Sequence, residues 1–91
     1  MLNGTTEKEF FIIKEILSDY PYDFYAYGSR TKNDFNALSD LDLFVSGNIT
    51  LEEINTIKSR FDNSLLPYVV NLSVNVDDKF YNLIKDDLIK I

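Results

Sequence analysis

Apolar and polar positions alternate along this chain with two different periods, and the switches between them mark out its elements. Thr6-Glu7-Lys8-Glu9 has the form of a capping box, a hydroxyl followed three residues later by glutamate. Beyond it, Phe10, Ile12, Ile13, Ile16, Leu17 and Tyr20 share one half of a helical wheel, and Lys14, Glu15, Ser18 and Asp19 take the other. The spacing predicts an amphipathic helix that ends before Pro21, with Phe11 on its polar side. Asp23 to Tyr27 is short and aromatic and reads as a strand stopping at Gly28. In the second predicted strand, Leu41 to Ser46, Leu41, Leu43 and Val45 point one way and Asp42, Phe44 and Ser46 the other. Thr50-Leu51-Glu52-Glu53 repeats the capping logic ahead of a stripe of Leu51, Ile54, Ile57 and Phe61. A third strand is predicted from Tyr68 to Val76, with Val70, Leu72, Val74 and Val76 on one face and Val69, Asn71, Ser73 and Asn75 on the other. Asp77 or Asp78 can cap a final helix carrying Phe80, Tyr81, Ile84, Leu88 and Ile91. Helix, strand, loop, strand, helix, strand, helix is the order of a small α/β (α+β) layer structure.

Composition narrows what such a structure can do. Ninety-one residues, 45% of them hydrophobic, make one domain spanning positions 1–91, too apolar for a disordered segment. The chain has no cysteine and no histidine. Disulfide scaffolds, thiolate or imidazole metal sites and histidine-based catalysis are thereby excluded, and carboxylates, hydroxyls, amides and basic side chains remain. Nine Lys and Arg against 15 Asp and Glu give a net charge of −6, which disfavours a large nucleic-acid surface. No apolar run reaches the roughly 20 residues of a membrane span, and the acidic N-terminal stretch lacks the order of a signal peptide. The expectation is a cytoplasmic protein that does not engage a membrane.

The chemistry concentrates between Gly28 and Leu43. Asp40 and Asp42 lie two apart at the second strand, so their carboxylates share a face. Two anions this close repel unless a cation sits between them, and oxygen-only ligands of this kind suit Mg2+ or Mn2+. Asp-x-Asp alone is more often a solvated strand face. Here, however, Gly28 and Ser29 precede it, where a glycine allows close backbone approach and N–H groups with a hydroxyl can cradle phosphate.

Gly-Ser, ten residues, then Asp-x-Asp resembles the signature of the DNA polymerase β-like nucleotidyltransferases, and Gly28-Ser29-Arg30 … Ser39-Asp40-Leu41-Asp42-Leu43 is most similar to the minimal nucleotidyltransferases among them. The resemblance covers nearly the whole chain. It implies a palm-like fold, a small mixed sheet with helices packed against it. It implies that Gly28 and Ser29 hold the triphosphate of a nucleotide, that Arg30 and Lys32 neutralise phosphate charge, and that Asp40 and Asp42 bind the divalent metal.

 It further implies transfer of a nucleoside monophosphate from a nucleoside triphosphate, ATP in particular, to an acceptor hydroxyl. Members often act as the antitoxin beside a HEPN-domain partner, so such a partner is implied too, and a homo-oligomer stays open. Asn33, where many members have glycine, is a mild departure because asparagine tolerates left-handed backbone.

A second departure reaches the chemistry. The family places a third carboxylate on the next strand, and the matching text here, Leu66-Pro67-Tyr68-Val69-Val70-Asn71-Leu72, has asparagine in its place. The alternation puts Asn71 on the polar face, where its amide oxygen can ligate or accept a hydrogen bond but carries no charge. Two expectations follow: an Mg2+-dependent nucleotidyltransferase with Asp40, Asp42 and Asn71 at its centre, or a catalytically silent antitoxin or regulatory module of the same fold. The shortness of the chain adds the expectation that the acceptor side comes from another chain.

Overall fold

The computed structural model describes residues 2, 4–31, 39–74 and 76–91, with the side chain of Ser29 left out. Both predicted capping boxes form. Thr6 accepts from the Glu9 amide at 3.1 Å and starts α1, Glu7–Leu17, and Thr50 does the same with Glu53 for α2, Leu51–Asp62. Asp77 caps α3, Asp78–Ile84, accepting from Phe80 N at 2.8 Å.

Four strands make one mixed sheet in the order β3-β2-β1-β4. β1, Asp23–Tyr27, runs antiparallel to β2, Leu41–Ser46, and β3, Val70–Val74, runs parallel to β2. The parallel pair is joined through α2, as a crossover between parallel strands requires. β3 is shorter than its apolar pattern predicts. Its last ladder partner, Val74, faces Val45, and β2 ends one residue later at Ser46.

The chain's last stretch departs from its sequence pattern. α3 ends at Ile84, and Ile89–Lys90 form β4, which pairs antiparallel with β1 through Tyr25↔Lys90 and Ala26↔Ile89. Leu88 and Ile91 therefore do not extend a helical stripe; Ile91 N donates instead to Phe24 O at 3.0 Å. A strand at this position satisfies backbone groups on the edge of β1 that a helix would leave without protein partners.

α1 and α2 lay Ile13, Ile16, Leu17, Ile54, Ile57 and Phe61 into one core with the inward side chains of the sheet. Leu41, Leu43 and Val45 of β2 are fully enclosed there. Phe11 stands exposed on the outer face of α1. The opposite face of the sheet is only partly covered. Tyr27 meets Phe80 of α3 edge to face at 5.8 Å, and Tyr81 lies 6.1 Å from Phe44. Phe44, placed with the polar residues by alternation, is consequently buried.

Candidate active site

The ladder itself builds the site. In parallel register Asp42 lies beside Asn71, and in antiparallel register Tyr27 lies on the other side of Asp42. All three therefore project from the less covered face. Asp40 directly precedes β2, whose ladder opens with Leu41 N donating to Val69 O at 2.8 Å.

Asn71 joins the two acids. Its Nδ2 donates to Asp40 Oδ2 at 3.2 Å and to Asp42 Oδ1 at 3.1 Å. Both carboxylates thus come within reach of a single atom. Among the described residues neither has an ion-pair partner, and both accept from the Asn71 amide N–H groups. Asp40 and Asn71 are exposed and Asp42 is half-buried.

Gly28 brings the end of β1 against this pair. Its φ is +83°, and a Cβ added there would lie 2.7 Å from Asp42 Oδ2. Only glycine meets both conditions without displacing the carboxylate. The backbone then enters a single 3-10 turn, Ser29–Thr31, in which Thr31 Oγ1 donates to Gly28 O at 2.7 Å. Ser29 follows Gly28 directly, but its hydroxyl lies outside the described residues, as do Lys32 and Asn33.

Arg30 is placed differently from what the resemblance implies. Its side chain is only 1% exposed, too enclosed to meet a phosphate on the open face. The guanidinium lies 3.7 Å from the centre of the Tyr68 ring, its Nε donates to Ser39 O at 3.0 Å, and its NH1 reaches Thr5 Oγ1 at 3.5 Å. A planar cation stacked on an aromatic face and bonded to a carbonyl keeps partners that offset its burial.

Two further groups share the open face. Tyr27 Oη and Ser73 Oγ are 3.0 Å apart, bridging from β1 to β3 across β2. Period-two alternation puts Tyr27 on this face, but the register that sets it beside Asp42 has no local signal. Among the described residues no three acidic, histidine or cysteine side chains converge on a metal position. The anionic donors present are two carboxylates, with the Asn71 amide turned so that its N–H side faces them. That set fits a hard divalent ion that takes one or two protein carboxylates and fills its remaining positions with water and phosphate oxygens.

The sequence model of the nucleotidyltransferase domain matches residues 12–91, which include every element described except the start of α1. The chain belongs to the nucleotidyltransferase domain family. In structure it is similar to a candidate nucleotidyltransferase from Sulfolobus solfataricus, with a TM-score of 0.51 and 23% identity over 88% of this chain and 72% of that one. That likeness concerns the fold. Comparison with curated proteins found no match.

Proposed function

We propose that the protein transfers a nucleoside monophosphate from a nucleoside triphosphate, ATP foremost, to an acceptor hydroxyl, with Mg2+ or Mn2+ held by Asp40 and Asp42. The observation that supports this reading best is the convergence of both carboxylates on one atom beside the Gly28 turn. Bound there, the ion would neutralise triphosphate charge and polarise a phosphoryl oxygen. Asp40 and Asp42 supply the anionic oxygens that hold it. Gly28 leaves room for the Asp42 carboxylate beside the turn, and Gly28, Ser29 and Lys32 are the phosphate-binding candidates of the motif. Asn71 must turn its amide for its oxygen to join such a site, because Nδ2 is what faces the carboxylates.

The proposal extends to the setting: an antitoxin working with a HEPN-domain protein, which would supply the acceptor. Its support is the likeness of the Gly28–Leu43 stretch to minimal nucleotidyltransferases. A second reading, a silent antitoxin or regulatory module, is favoured by one observation. A neutral amide stands where the family has its third carboxylate, and it bonds both remaining acids.

Incubation with ATP labelled at the α-phosphate, Mg2+ or Mn2+ and the candidate partner decides between the two. Label transfer by the wild type that vanishes in Asp42→Ala is the expected result. Transfer only by Asn71→Asp establishes the silent module instead, and no transfer by either protein contradicts the enzymatic reading.

A further inference from the structure

Asp42 is held from both sides by the sheet, whereas Asp40 precedes the ladder and needs another anchor. The neighbouring peptide supplies one, because the carbonyl of Ser39 accepts from Arg30 Nε at 3.0 Å. Arg30 is itself restrained by the face of Tyr68, which stands three residues before Asn71. The Tyr68 hydroxyl lies 3.2 Å from Thr5 Oγ1, which brings in the segment ahead of α1. Thr5 and Leu2 are both buried, and Thr5 N donates to Leu2 O at 3.2 Å. One guanidinium therefore joins the two chain segments that lead into the Asp40–Asn71 contact.

We infer that Arg30, stacked on Tyr68 and tethered to Thr5, is a positioning residue that sets Asp40 against Asn71. The inference rests on the proposed function for its consequence, a well-formed divalent-ion site, but not for its geometry. Arg30 acts through the Ser39–Asp40 peptide rather than by touching a substrate. Its fork and flat face are both used, so lysine is not an equivalent replacement. The ring of Tyr68 carries the stacking, and its hydroxyl contributes only the bond to Thr5.

The test is NMR of the full chain without metal, followed by Mn2+ titration monitored by electron paramagnetic resonance. In wild type the Asn71 side-chain amide is bonded to both acids. Arg30→Gln, Arg30→Lys and Tyr68→Leu are expected to shift those amide signals and the Asp40 backbone signal, with the methyl signals of Ile13 and Ile57 unchanged. Tyr68→Phe keeps the stacking ring and is expected to match wild type. Mn2+ affinity should fall about tenfold in the first three variants, the lower end of what loss of a residue supporting a metal ligand costs. Thr5→Val, the mildest change, should produce the same signal shift at smaller amplitude even if the Arg30 variants do not fold. Unchanged Asn71 and Asp40 signals in folded Tyr68→Leu and Thr5→Val overturn the inference, as does a shift spread equally over Ile13 and Ile57. Failure of the wild type to bind Mn2+ would instead count against the proposed function, while the metal-free signals still decide the role of Arg30.

Discussion

The two faces of β2 are built on opposite terms. On one, Leu41, Leu43 and Val45 are fully enclosed by α1, α2 and the neighbouring strands. On the other, Asp42 is half-buried and carries a hydrogen bond from Asn71, with Asp40 exposed beside it. Alternation along a single strand ties the faces together, so packing on the first determines where the carboxylates of the second stand. The closed face should account for stability and the open face for chemistry. Substitutions on each can separate those roles.

The largest effect is expected on the closed face. Leu43→Ala should lower the free energy of unfolding by about 2–5 kcal/mol, read from urea denaturation, through lost burial and the cavity left behind. Gly28→Ala crosses between the faces. It should cost about 1–3 kcal/mol for the positive φ and the close approach, and it should also displace the Asp42 carboxylate. A stability loss with wild-type nucleotide binding would show that Gly28 serves the turn alone. Thr50→Ala, far from the site, should cost about 1 kcal/mol by removing the α2 cap and leave ligand binding unchanged. Asp42→Ala should change stability by no more than about 0.5 kcal/mol, because it removes one of two neighbouring anions from a partly exposed position.

Much of this arrangement was legible in the sequence. The limits of β1 and β2 follow from alternation and from Gly28, and both capping boxes mark where their helices start. Asn71 fell on the site face by the same period-two argument, and its amide does meet both acids. What stayed hidden depends on contacts between distant segments. Ile84, Leu88 and Ile91 carry a helical spacing, yet pairing with β1 prevails and draws Ile89–Lys90 into the sheet. Alternation sets Phe44 on the side of Asp42 and Ser46, and on one strand it cannot show that Tyr81 will cover that ring. Arg30 sits in a motif that suggests phosphate, and nothing local announces its stacking on Tyr68, 38 positions away in the numbering.

The smallest expected effect is a pH dependence remote from the site. Backbone bonding at Thr50, and then the hydroxyl of Tyr22, hold the Glu53 carboxyl below its ordinary range. A depressed folded-state value means the contribution is present above the unfolded carboxylate pKa and is lost as pH falls through the folded one. The same hydrogen bond raises the Tyr22 phenol, so its contribution is lost as pH rises through the raised value. Glu53→Gln should flatten the acid limb of a melting-temperature profile and leave the fold intact near neutrality.

The central claim is that Asp40 and Asp42 form one divalent-ion site for a nucleoside triphosphate. Calorimetric titration of the wild type with ATP, with and without Mn2+, tests it most directly when repeated on Asp42→Ala and Asn71→Asp. Mn2+-dependent ATP binding that disappears in Asp42→Ala and tightens in Asn71→Asp is the expected result. ATP binding that ignores Mn2+, or that survives unchanged in Asp42→Ala, would contradict it.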